Sequence, residues 1–230
     1  MDSYLKKDFE DRHGIGMEYG SLFHTVDLPT HPTFDVPPLV VFTGFKGCGK
    51  TTASKFLSSA YGFKSLKFAD GLKDMLRALG LNEREIEGDL KEEPCGILMG
   101  HTPRWAMQTL GTEWGRECIS KDFWINLWVS RVRKTLHAGF GVVNDDMRFP
   151  NEAEAVKMLG GTIVRIYGKN DKEAQEDTHA SESHYSTIAA DYSLINRGTI
   201  GDLHRSVDTM VKWIRGKNDA GEDKSAELGR

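Results

Sequence analysis

At 230 residues, with 39% hydrophobic and 28% charged positions, the chain has the size and balance of one soluble α/β domain with extra segments, or of two small domains. Its formal net charge of −4 argues against a protein whose main task is gripping DNA or RNA, because neutralising phosphates takes a basic surplus. No apolar run approaches the roughly 20 residues a membrane span requires, and the opening MDSYLKKDFEDRHG lacks a secretory core. A cytoplasmic protein with neither a membrane nor a nucleic-acid partner is expected.

Residues 1–38 end in PTHPTFDVPP, which resists helix and central strand alike because proline removes donors and restricts its neighbours. They are expected to form an N-terminal extension to a domain over 39–215. LVVFTG (39–44) reads as a buried parallel strand, followed by a helix over 50–61. A short strand over 65–69 and a helix over 71–79 come next. The charged stretch 81–101 reads as irregular or partly helical. Thr102 and Pro103 open a further helix, as cap and first helical position, and another is expected over 123–136. GFGVVND (139–145) reads as a second buried strand, then a helix over 151–159 and a strand over 161–168. The polar segment 169–187 reads as a mobile, lid-like loop. YSLIN (192–196) supplies the last strand. Leu203, Val207, Val211 and Ile214 keep helical spacing in a last helix over 200–215, and the charged tail 216–230 is expected to be disordered. Strands alternating with helices imply a doubly wound parallel sheet with helices on both faces.

Between the first strand and the first helix stands Gly44-Phe45-Lys46-Gly47-Cys48-Gly49-Lys50-Thr51, which meets the pattern GxxxxGK[ST] at every fixed position. Its glycines let successive N–H groups face one anionic cavity, and the helix start adds partial positive charge. Gly44, Lys46, Gly47, Cys48, Gly49, Lys50, Thr51 and Thr52 are therefore expected to hold the phosphates of a nucleotide, which the resemblance named below makes ATP. Lys50 would reach the β- and γ-phosphates, and the Thr51 hydroxyl would complete a Mg²⁺ shell. Cys48 is more simply a small residue fitted to a tight loop than a redox centre, although Lys46, Lys50 and a helix start surround it. The three cysteines, Cys48, Cys95 and Cys118, cannot all pair and match no metal spacing, so reduced thiols are expected.

A metal-facing acid belongs at the end of another buried strand, where VVNDDMR supplies Asp145 and Asp146. Alternate residues point to opposite faces, so one would face Mg²⁺ through water and the other would cap or meet solvent. Arg148 either grips a phosphate or makes a structural ion pair. In TPRWAMQTLGTEWGR (102–116) Arg104 and Gln108 are four apart and share a helix face, with Met107, Leu110 and Trp114 as the apolar stripe beside them. That face is either a phosphate clamp next to a base-reading amide or a solvated polar surface. The tryptophans 105, 114, 124 and 128 are more often core than base-stacking residues.

Taken together, the phosphate loop, FADGLKDML (68–76) with EGDLKEEP (87–94), TPRWAMQTLGTEWGR with KDFW (121–124), and DMRFPNEAE (146–154) with DTHASES (177–183) resemble the deoxynucleoside monophosphate kinases of tailed bacteriophages. The segments span about 39–215 in the family's order. The resemblance implies a P-loop kinase fold, ATP and a deoxynucleoside monophosphate as substrates, Mg²⁺ as cofactor, and the host cytoplasm as location. It implies Asp146 as the strand-end acid, with Thr51, at the metal, and Lys50 and Arg148 as catalytic groups. Asp70, Lys73, Arg104, Gln108 and Arg148 become acceptor contacts, within a helical insert over about 70–136. The lid-like loop 169–187 lacks the arginine that many nucleotide kinases place there, and a homodimer stays open. The rival readings are a kinase for dephospho-coenzyme A or a nucleoside, which needs a carboxylate base such as Asp70, and a P-loop ATPase or switch acting on a macromolecule.

Overall fold

The computed structural model describes residues 39–169 and 187–227. The extension 1–38, nearly all of the lid-like loop, including the DTHASES segment, and residues 228–230 lie outside them. Strands β1 (Leu39–Thr43), β2 (Lys64–Ser65), β3 (Val142–Asn144), β4 (Thr162–Tyr167) and β5 (Tyr192–Ile195) form one sheet in the order β2-β3-β1-β4-β5, and every pairing is parallel. All five residues of β1 are buried, because it sits at the centre with helices over both faces. This is why its sequence runs apolar without alternation.

On one face Val40, Phe42, Val143, Val164, Ile166 and Leu194 meet helix α1 (Lys50–Tyr61) through Ala53 and Leu57, and helix α7 (Ile200–Glu227) through Leu203, Val207, Met210, Val211 and Ile214. These are the positions whose spacing predicted the last helix. α7 also continues through 216–227, the stretch whose composition predicts disorder. A helix already nucleated and packed propagates at little cost per residue. Over the opposite face α5 (Phe123–His137) packs on β3 and α6 (Pro150–Met158) on β4.

The second strand is shorter than its predicted 65–69. After Leu66 N donates to Val143 O (3.0 Å), the ladder gives way to carboxylates. Lys67 N donates to Asp70 Oδ2 (2.7 Å), Phe68 N to Asp146 Oδ1 (2.9 Å) and Ala69 N to Asp146 Oδ2 (3.1 Å). Those bonds turn the chain straight into α2 (Asp70–Ala78).

A helical lobe follows. Asn82 and Glu85 form a capping box on α3 (Glu83–Ile86), which satisfies the first-turn donors. A 3₁₀ turn spans Asp89–Glu92, so the stretch 81–101 is partly helical, as its composition suggests. Thr102 caps α4 (Pro103–Thr109), its Oγ1 accepting from Trp105 N at 3.1 Å. The lobe has its own apolar cluster of Leu76, Leu81, Ile86, Cys95, Ala106 and Met107. From Leu110 to Ile119 the chain winds as a π-helix, a rare form that, as short bulges, is frequent at functional sites. Trp124 lies against it. Its indole N–H donates to Gly111 O (2.9 Å), and a Cβ on Gly115 would stand 2.2 Å from Trp124 Nε1. Only glycine fits at 115.

Candidate functional site

The phosphate loop leaves β1 at the C-terminal end of the sheet, beside the exits of β3 and β4, the crevice where open α/β sheets bind ligands. Gly44, Gly47 and Gly49 all hold positive φ, and at two of them a Cβ would also clash. Gly44 holds φ 142°, and a Cβ there would come within 2.4 Å of Ile166 O. Gly49 holds φ 107°, and a Cβ would meet Asn196 Nδ2 at 2.5 Å. No side chain caps the first turn of α1, whose N–H donors are left for an anion. Lys50 Nζ donates to Gly44 O (2.7 Å) and Phe45 O (2.8 Å), folding its ammonium back over the loop. Cys48 is buried with its Sγ 3.8 Å from that ammonium. All three cysteines are free thiols. Thr51 is exposed on the first turn and Thr52 half-buried beside it.

Next to the loop a cleft of about 280 Å³ is lined by Lys46, Gly47, Cys48, Gly168, Lys169, Asn196 and Gly198. Asn196 Nδ2 donates to Cys48 O (2.9 Å), fastening the end of β5 to the phosphate loop. Sequence reasoning missed Asn196 and Gly198. Their only signal was position, just beyond a strand's C-terminal end.

Of the two aspartates after β3, Asp145 does not meet solvent. Asp145 is buried and pairs with Lys67 Nζ at 3.1 Å. Burial alone would lower the Lys67 ammonium, but Asp145 outweighs it and the pKa rises. Asp146 accepts from Phe68 N, Ala69 N and Asn144 Nδ2 (2.9 Å), and burial raises its carboxyl above the usual range. Both acids therefore secure the bend between β2 and α2. Among the described residues no group of three or more His, Cys, Asp or Glu is placed to hold a metal.

On the lobe, Arg104 and Gln108 are both exposed on one face of α4, as their spacing requires. Arg104 Nε donates to Glu92 Oε1 (2.8 Å). Lys73 is buried on α2 and reaches Glu87 Oε1 at 2.5 Å. Asp70 is half-buried, and burial raises its carboxyl although it accepts from Lys67 N. Lys91, which sequence reasoning passed over inside EGDLKEEP, is half-buried on the 3₁₀ turn. Burial lowers its pKa, and the nearby Arg104 and Lys73 cations lower it further. Its signal was a lone lysine in a run of acids, which reads as solvated until the fold is known. Met107 is buried in the lobe, Leu110 packs partly against it, and Trp114 is 37% exposed. Trp124 and Trp128 are core. Trp105 stays exposed, stacked on His101 with ring centroids 3.9 Å apart.

Arg148 follows Asp146 into the open. It is exposed, and among the described residues its guanidinium has neither a carboxylate nor a carbonyl partner. Behind it Glu152 is buried and accepts from Arg148 N (2.7 Å), Phe149 N (3.1 Å) and Arg116 Nη2 (3.1 Å). Burial pushes its carboxyl up to about 7 against the pull of those donors. Asn151 Nδ2 donates to Asp122 Oδ1 (3.0 Å). Thus RxxxQxLGTExxR, KDFW and DxRFPNE, separate in sequence, are bonded to one another.

Residues 100–207 match the family of deoxynucleotide monophosphate kinases. A protein of Acanthamoeba polyphaga mimivirus, provisionally named a deoxynucleotide monophosphate kinase, is 34% identical over 188 residues, covering 75% of this chain and 95% of that protein. Among solved structures, a provisionally named kinase from Chloroflexus aurantiacus is similar at 17% identity and a TM-score of 0.44, over 81% of this chain and 98% of its own. A dephospho-CoA kinase from Campylobacter jejuni is similar at 17% identity and a TM-score of 0.37, over 78% and 97%.

Proposed function

The chain belongs to the deoxynucleotide monophosphate kinase family, and we propose that it transfers the γ-phosphoryl group of ATP to a deoxynucleoside monophosphate, giving ADP and the diphosphate. The observation that carries this reading is the presence of two anion-seeking regions. One is the phosphate loop with Lys50. The other is the trio Lys73, Lys91 and Arg104 on the helical lobe, where Glu87 holds Lys73, Glu92 holds Arg104 and Lys91 is half-buried. A site that gathers cations this way suits an anionic acceptor.

In this reading the ATP phosphates lie along Gly44, Lys46, Gly47, Cys48, Gly49, Lys50, Thr51 and Thr52, with the nucleoside in the adjoining cleft by Asn196 and Gly198. Lys73, Lys91 and Arg104 hold the acceptor phosphate, Gln108 meets the base, and Asp70 borders the pocket. The acceptor oxygen is already anionic at neutral pH, so no strong base is needed, and positioning with charge neutralisation carries the step. Lys50 and Arg148 would stabilise the charge on the transferring group. Thr51 fits a Mg²⁺ that arrives with the nucleotide, since magnesium is commonly held by one or two protein groups plus phosphates. When bound, it would neutralise charge between the phosphates. Asp146, its oxygens engaged by three donors, would reach that ion through water.

ADP release from ATP and Mg²⁺, screened against each deoxy- and ribonucleoside monophosphate, tests the proposal. Turnover that depends on a deoxynucleotide is expected, whereas slow ADP release indifferent to the acceptor would replace the kinase by an ATPase. Within the same assay Lys91→Met should raise KM for the monophosphate about tenfold, the loss of one charged hydrogen bond, and leave KM for ATP unchanged. Equal rises in both constants would remove Lys91 from the acceptor site.

A further inference from the structure

We propose that Arg116 and Glu152 are positioning residues that aim Arg148 and couple its placement to the acceptor-side helices, an inference that rests on the transfer reaction above. Glu152 Oε2 accepts from the N–H of Arg148 at 2.7 Å and of Phe149 at 3.1 Å. Those two amides belong to the peptide units on either side of the Arg148 Cα, so one buried carboxylate orients both planes and with them the direction in which the side chain leaves the backbone. The guanidinium itself has no partner among the described residues that could set its direction.

The other oxygen of Glu152 accepts from Arg116 Nη2 at 3.1 Å, and the Arg116 guanidinium lies over the Phe149 ring, 4.5 Å from its centroid. Arg116 therefore holds the 148–149 segment twice, by charge and by stacking. It stands on the π-helix that continues from α4, the helix carrying Arg104 and Gln108. A shift of α4 as an acceptor seats would be passed through one arginine and one carboxylate to the backbone of Arg148. The ion pair is half-hidden on the arginine side and nearly closed on the glutamate side, with side-chain exposures of 22% and 3%, so water competes poorly for it.

The test is a double-mutant cycle on the full chain, reading kcat and KM for ATP and for the best monophosphate, with thermal unfolding as a control on the fold. Arg148→Ala alone should lower kcat about 10²-fold, the scale of a lost transition-state donor. Arg116→Ala alone should lower kcat about tenfold with both KM values within about twofold of wild type. In the Arg148→Ala background the same Arg116→Ala change should cost nothing further, because the group it aims is gone. Equal losses in both backgrounds would overturn the proposal, as would a full kcat for Arg116→Ala with only a lowered melting temperature, or a full kcat for Arg148→Ala. If Arg116→Ala does not fold, Arg116→Lys, which keeps the charge opposite Glu152 but loses the stacked plane, is put through the same cycle with the same expectations. Failure of the underlying reading shows separately, in wild-type enzyme that ignores monophosphates, and that result removes this proposal with it.

Discussion

Replacing Lys50 with alanine should lower phosphoryl transfer by about 10³-fold or more while leaving the fold in place. The ammonium is tied directly to the phosphate loop through Gly44 O and Phe45 O, so in the proposed reaction it would stand where charge develops as the γ-phosphoryl group moves. In a water-poor site such a fixed charge is worth far more than in solution. The two hydrogen bonds it gives up contribute about 1.5 kcal/mol each, and the conformations of Gly44 and Gly49 favour the loop's shape without it. Steady-state turnover together with the far-UV circular dichroism spectrum checks both halves. Near-normal turnover in Lys50→Ala would place the chemistry elsewhere, and a lost fold would make the lysine a structural element.

Trp128→Ala should have the largest effect on stability, about 4 kcal/mol. Trp128 is 1% exposed. Its indole N–H donates to Leu66 O (3.0 Å), and its ring lies against that of Phe68, centroids 4.2 Å apart and planes tilted by 33°. Truncation would leave a cavity under the bend that the Asp146 carboxylate holds from above. For a chain of this length about 4 kcal/mol corresponds to a melting temperature lower by roughly 10 °C. Calorimetry would measure it, and a shift below about 2 °C would show that the carboxylates hold the bend without the indole. Because the bend leads into α2, the acceptor side should suffer first, with KM for the monophosphate rising before KM for ATP.

The nucleotide half of the candidate site was legible because the phosphate-loop pattern is a local object. Glycines at fixed offsets, a preceding apolar run and a following helix all lie within about twenty residues, and local backbone geometry alone creates the anion cavity. The same holds for Thr102 as a cap and for the spacing of Leu203, Val207, Val211 and Ile214. The tie between Asp145 and Asp146 could not be broken on geometry in the same way. Alternation along a strand predicts opposite faces, but β3 ends at Asn144, and past its end the two carboxylates are drawn to whatever donors lie near. Those donors, Lys67 and the amides of Phe68 and Ala69, come from almost eighty residues earlier.

By itself, then, the sequence determined the class of fold, the phosphate loop with Lys50 and Thr51, and the family block RxxxQxLGTExxR with DxRFPNE, since each depends on interactions between near neighbours. Only the tertiary structure decided what the remaining residues of those blocks do. Arg116, Asp122, Asn151 and Glu152 bond to one another rather than standing open to solvent, and Lys91 turns from a surface charge into a half-buried cation near two others. The reason is physical: a charge takes its role from the groups that replace its water, and in this chain those groups arrive from distant helices.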